Sequence, residues 1–421
     1  MKVEDVVRKI ADYPVVNNVV KIITGVLAVV GIPLLVPFQD VYEGIGESVR
    51  AVEILKQHRG KKALIVTDKT IMKLGIPKPM LKAMDKAGFP YVIYDDVEPN
   101  PTIKNIEDAF ALYCKERCDC IVGIGGGSAM DTAKIVGCRV LKPEQSVVQM
   151  GRAMGAFPIT LSKAITRKLP FTIAIPTTAG TGAETTAAAV VSDHEHDRKY
   201  SILDFKMRPH VAILDATLFT DLPPYVTVCT AIDALCHNLE GYIGGGHNLR
   251  GDEYAIRGFR LALENIDKAY NDGKDIEARQ NLCKAAYYGG LTLNFELTGY
   301  VHPFCHKIGA KYNLAHGRCI GTILPIILEE YGKKIEKRLA KFSVAVGVGD
   351  PNVSPAVQAK QLIQTLRDIS EKYGIPDNIP ELEEAHFDEI VDSIMIENFV
   401  YPTVVSYTRD EIIAILRKIK G

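Results

Sequence analysis

CIVGIGGGSAMDTAK, residues 120–134, is the stretch that decides the fold. CIVGI is a short apolar run rich in β-branched residues, the composition of a buried strand. Gly125, Gly126 and Gly127 interrupt it, and SAMDTAK then starts a helix. A glycine loop between strand and helix lets backbone N–H groups approach a ligand closely. The helix N-terminus beyond it favours a pyrophosphate. The run is not a G-x-G-x-x-G fingerprint, because Ser128 takes the third glycine position. A plain glycine turn before a capped helix is the competing reading, with Ser128 and Asp131 as an S-x-x-D capping box.

Working outward, ALIVT (63–67), YVIY (91–94), FTIAI (171–175) and HVAIL (210–214) also read as buried strands. KPMLKAMDKAGF and IKNIEDAFALYCKER read as helices between them. Strands alternating with helices predict an α/β domain built on a parallel sheet, over 38–220. A second small-residue loop, IPTTAGTGAET (175–185), follows the strand at 171 and offers the hydroxyls of Thr177, Thr178 and Thr181. Two such loops in one α/β half favour nucleotide binding over plain turns. Asp68 ends the strand ALIVTD, where a carboxylate can accept from a ribose hydroxyl and repel a 2′-phosphate. A helix cap is the other reading of Asp68. The stretch 143–170 reads as long and irregular, of the kind that is often functional. From DLPPY at 221 the pattern turns helical, as in DEYAIRGFRLALENIDKAY, which predicts an all-helical domain over 221–421.

The chain has 421 residues, 47% of them hydrophobic and 24% charged, the balance of a soluble globular protein. A net charge of −1 gives no electrostatic footprint for nucleic acid. The odd count of nine cysteines, most in apolar segments, predicts reduced thiols and a cytoplasmic protein. Cys114, Cys118 and Cys120 are close in sequence, but a helix and a strand would separate them, so they need not converge on a metal. Residues 1–37 form an N-terminal extension with a helical apolar face over 3–13. Lys21, Gly25, Gly31 and Pro33 interrupt its apolar run, so no membrane span is expected.

Asp233 and His237 stand four apart in DALCHNLEGYI, and His302 and His306 four apart in VHPFCH, with His316 following. On helices each pair shares a face. A lone histidine is ordinarily a core or surface residue, whereas two such pairs with a further imidazole nearby predict a divalent-metal site. A carboxylate with three imidazoles suits Fe2+ or Zn2+ and leaves positions for a substrate oxygen or water.

GGGSAMDTAK, IPTTAGTGAE, DALCHNLEGYI and the VH…H…HG run together resemble the iron-containing (group III) alcohol dehydrogenase family, from about residue 38 to the C-terminus. The resemblance implies the dehydroquinate synthase-like fold of that family, with a nucleotide domain and a helical metal domain. It implies Asp233, His237, His302 and His316 as ligands of Fe2+, with Zn2+ an alternative. His306 then falls on the family's additional active-site histidine. The implied NAD contacts are Asp68, Asn100, Gly126, Gly127, Ser128, Thr177, Thr178, Thr181 and Lys199, with Asp68 selecting NAD over NADP. The implied activity interconverts a short-chain alcohol or diol with its aldehyde or ketone, in a homodimer or higher homo-oligomer. The sequence departs from the family at the 1–37 extension, at the long 143–170 stretch, at Pro303 beside His302, and at LNFELTG (293–299). Proline fits only the first turn of a helix, so a helix should start or kink at Pro303. Three other functions stand against this one. A glycerol-dehydrogenase-like polyol oxidoreductase keeps the chemistry. A dehydroquinate synthase-like cyclase would need more basic residues near the metal than Lys307, Lys311 and Arg318. An assembly protein would act through residues 1–37.

Overall fold

The computed structural model describes residues 38–152, 169–193, 198–399 and 401–421. The N-terminal extension and most of the 143–170 stretch lie outside the described residues. Among those described, two compact units form, one of 38–222 with 273–283 and one of 223–272 with 284–421.

The first unit runs β1 (Asp40–Glu43), α1 (Ala51–Gln57), β2 (Ala63–Val66), α2 (Lys69–Leu74), α3 (Lys78–Lys86), β3 (Tyr91–Tyr94), α4 (Ile103–Lys115), β4 (Cys120–Gly125), α5 (Gly127–Leu141), α6 (Val147–Arg152), β5 (Phe171–Pro176), β6 (Ala188–Asp193), β7 (Arg198–Leu203) and β8 (Val211–Leu214). Six strands form one sheet in the order β1-β8-β5-β4-β2-β3, and every pairing in it is parallel. The parallel α/β domain expected from the sequence is therefore present. β2, β4 and β8 are buried along their whole length, which is why they read as continuous apolar runs.

Two features escaped the sequence reading. β1 lies at the sheet edge and is mostly exposed, so DVYE carries no apolar run. β6 and β7 form a separate antiparallel pair in which Ser192 faces Lys199. β6 alternates partly buried and buried residues at its start, and that half-exposed pattern hid it. The expected irregular stretch from 143 also contains α6.

The second unit is helical: α7 (Pro224–Ile243), α8 (Leu249–Asn271), α9 (Ile276–Glu296), α10 (Val301–Tyr312), α11 (His316–Tyr331), α12 (Glu336–Ala345), α13 (Pro355–Lys372), α14 (Phe387–Asn398) and α15 (Arg409–Lys420). The first turns of α9 count with the sheet unit. α7 packs on α8 and α11, and α10 packs on α11 and α14. α7 is buried nearly all round from Thr227 to Ile243, so its polar side chains face protein rather than water. Pro303 is the third residue of α10, within the first turn, where its missing N–H costs nothing. None of the described helices is long and apolar enough to cross a membrane.

Candidate active site

In the helical unit, α7 supplies Asp233 and His237 on one face, α10 supplies His302, and α11 opens with His316. Their ring nitrogens converge on one oxygen. Nε2 of His237, His302 and His316 lies 3.5, 3.7 and 3.6 Å from Asp233 Oδ1. Donors bonded tetrahedrally to a metal at about 2.1 Å stand about 3.4 Å apart, so the spacing fits one small ion. Asp233 Oδ1 and His302 Nε2 are buried and have no hydrogen-bond partner. Orphaned polar atoms aimed at one another are costly unless an ion sits among them. Asp233 is 4% exposed, and burial alone would raise its carboxyl. The surrounding imidazoles outweigh burial and hold the carboxyl well below its usual range.

A second ring of side chains orients these donors. Glu240 is one turn beyond His237 on α7, and its Oε2 meets His302 Nδ1 at 2.5 Å. Glu240 Oε1 accepts from the Val301 N–H at 2.8 Å, which ties the start of α10 to α7. Ionised Glu240 can only accept, so it places the His302 proton on Nδ1 and leaves Nε2 free to donate electrons. Behind His316, Cys305 Sγ lies 3.1 Å from Nδ1. The HG pair has a packing reason: a Cβ on Gly317 would stand 2.2 Å from the Cys229 carbonyl oxygen. Only glycine lets α11 approach α7 closely enough to present His316. His306 stands apart from the converging nitrogens. Its Nδ1 meets Glu397 Oε1 at 2.7 Å, while its ring packs face to face with His316, centroids 5.5 Å apart.

In the sheet unit, β2, β4 and β5 are neighbours, and their carboxyl ends bring the three nucleotide-loop candidates together. Asp68 follows β2, Gly126 to Ser128 follow β4, and Thr177 to Thr181 follow β5. Thr177 N–H donates to the Gly125 carbonyl at 2.9 Å. Cβ positions on Gly126 and Gly127 would stand 3.5 Å from Thr178 Oγ1 and 2.9 Å from Thr181 Cγ2, so these two loops touch. Gly125 has φ 155°, and its Cβ would strike Ala129 at 2.7 Å. Asn100 N–H donates to Ser128 Oγ at 3.2 Å, and Lys199 Nζ donates to Asn100 Oδ1 at 2.9 Å. Seven of the nine candidate cofactor residues thus fall at the carboxyl ends of adjacent strands, where open α/β sheets bind ligands, and Asn100 and Lys199 join them through the contact with Ser128. Asp68 caps α2, its Oδ1 accepting from Ile71 N–H at 2.9 Å, while Oδ2 lies towards the glycine loop.

The capping box does not form. The N-cap of α5 is Gly126, with no side-chain cap, and Ser128 lies inside the first turn. The helix starts two residues earlier than the motif assumed, and Asp131 instead accepts from Val190 N–H. Cys114 lies on α4 and Cys120 in β4, and neither belongs to a metal-capable group among the described residues. Both such groups share His302: Asp233 with His237, and Cys236 with Glu240. Sequence reasoning missed Glu240, Cys305 and Glu397. Glu240 had a signal, an acid one turn from a candidate ligand in an apolar helix. Glu397 had none.

Comparison with known proteins agrees on both halves. Residues 39–216 match the family described as iron-containing alcohol dehydrogenase, and 227–420 match the Fe-containing alcohol dehydrogenase family, C-terminal. A choline dehydrogenase of Bacillus subtilis (strain 168) is 33% identical over 331 residues, covering 79% of this chain and 79% of that protein. An NAD-dependent methanol dehydrogenase of Bacillus methanolicus is 33% identical over 328 residues, covering 78% and 84%. The solved structure of an alcohol dehydrogenase from Oenococcus oeni superposes with a TM-score of 0.83 at 29% identity, covering 91% of this chain and 99% of that one.

Proposed function

This chain belongs to the iron-containing alcohol dehydrogenase family, and from that premise we propose that it is an NAD-linked, metal-dependent dehydrogenase of short-chain alcohols or diols. The observation that carries the proposal is the convergence of three Nε2 atoms on Asp233 Oδ1 within 3.7 Å. Asp233, His237, His302 and His316 would hold Fe2+, with Zn2+ the alternative. Asp68, Asn100, Gly126, Gly127, Ser128, Thr177, Thr178, Thr181 and Lys199 would hold NAD. We assign the nucleotide to domain 38–220 and the metal to domain 221–421. When bound, the metal supplies Lewis acidity to the alcohol oxygen and NAD+ supplies the hydride acceptor.

The protein's own groups do the rest. Glu240 keeps His302 in one tautomer and orientation. The uncapped α5 N-terminus and its glycines offer N–H groups to a pyrophosphate. His306, packed beside the ligand imidazoles, takes the proton that the alcohol hydroxyl releases. The cyclase alternative loses ground on charge. Lys307 and Lys311 are paired with Glu389, and Arg318 with Glu381, so these cations are already engaged. All nine cysteines are free, which supports a cytoplasmic setting, and the resemblance supports a homo-oligomer.

The test is anaerobic, Fe2+-loaded protein with NAD+ and a panel of short alcohols, diols and glycerol, followed by NADH absorbance. Net NADH that disappears on chelation is the expected result. No net NADH with any alcohol, and no NADH consumption with the matching aldehydes, would overturn the proposal.

A further inference from the structure

We propose that Glu397 is a positioning residue for His306, a role that rests on the dehydrogenase reading above. Three imidazoles turn Nε2 towards Asp233 Oδ1, whereas His306 gives its Nδ1 to Glu397 Oε1 at 2.7 Å. The Tyr401 hydroxyl donates to the same oxygen at 3.2 Å and so restrains the carboxylate. Glu397 comes from α14, which packs directly on α10, the helix of His306.

An ionised carboxylate can only accept, so Nδ1 must carry the His306 proton and Nε2 is left as the basic atom. His306 also packs edge-on to His302, centroids 5.7 Å apart, so the ring has little freedom to turn. Glu397 thus fixes the orientation of the His306 ring and leaves Nε2 turned away from the carboxylate. Glu397 would therefore act through His306, without touching substrate or metal.

Two measurements test this. Nitrogen-15 spectra of histidine-labelled, Zn2+-loaded protein should show His306 protonated on Nδ1 alone, and Glu397→Gln should abolish that preference. In Fe2+-loaded enzyme, Glu397→Gln should lower kcat about 10- to 100-fold, with metal content and KM within about twofold of the parent. Glu397→Asp, which keeps a carboxylate, should retain the tautomer and lose less activity. The double variant with His306→Ala should be no slower than His306→Ala alone. Unchanged kcat in Glu397→Gln, a loss of kcat that follows lost metal, or a double variant slower than the single would overturn the role. If the parent enzyme turns over no alcohol, the dehydrogenase reading fails. The spectra still decide positioning, because a mixed His306 tautomer in the parent refutes it.

Discussion

Removing Glu240 should weaken metal binding from outside the ligand set. Glu240 is 1% exposed, so water cannot replace its contacts. Glu240→Ala deletes two acceptors, one for Val301 N–H at 2.8 Å and one for His302 Nδ1 at 2.5 Å. Hydrogen bonds to a charged group contribute about 1.5–3 kcal/mol each, so the fold should lose roughly 3–6 kcal/mol. Only the His302 half bears on the metal. Its loss frees the ring to rotate and leaves the tautomer undefined, at about 1.5–3 kcal/mol, or roughly 10- to 150-fold in Kd. The assay is an equilibrium competition for Zn2+ against a chelator of known affinity, with unfolding monitored in parallel. Glu240→Gln keeps the shape and one acceptor, so it should fold and show a smaller loss. Folded variants with a Kd within twofold of the parent would refute the reasoning.

Asp68→Gly should shift the ratio of kcat/KM for NAD over NADP by roughly tenfold or more towards NADP, since like charges no longer meet. The lost α2 cap costs only a few tenths of a kcal/mol when glycine replaces it, so a folded protein with an unchanged ratio would count against the cofactor role. Glu184 is buried with Oε1 lacking a partner, and burial pushes its pKa up to about 7, against 4.5 in the ordinary range. The folded state therefore holds this proton more tightly than the unfolded chain. The stability it confers is complete below about pH 4.5 and is lost as pH rises through about 7, a change of roughly 3 kcal/mol. Glu184→Gln should flatten that part of the stability profile in denaturant titrations, and an unaltered slope would contradict it.

Much of this was legible because it is local. A strand, a glycine run and a helix start lie within 120–134, and Asp233 with His237 share a helical face whatever surrounds them. Burial on both faces kept β2, β4 and β8 readable as apolar runs. What stayed hidden depends on distant pairing or partial exposure. β1 is an exposed edge strand, so it has no apolar signature. Lys199 reaches Asn100 only through the β6–β7 pair, across 99 residues. Glu397 finds His306 across 91 residues, and nothing in IMIENF marks it. Asp68 had two competing readings because a carboxylate at a strand end also starts the next helix, and the structure shows the cap, with the second oxygen towards the loop.

Anomalous scattering at the iron edge, from crystals of protein purified and grown anaerobically, tests the ligand set most directly. The predicted result is one peak about 2.1 Å from Asp233 Oδ1 and from Nε2 of His237, His302 and His316, with His306 outside bonding distance. A peak on His306 in place of His316, or on Cys236 and Glu240, would contradict it.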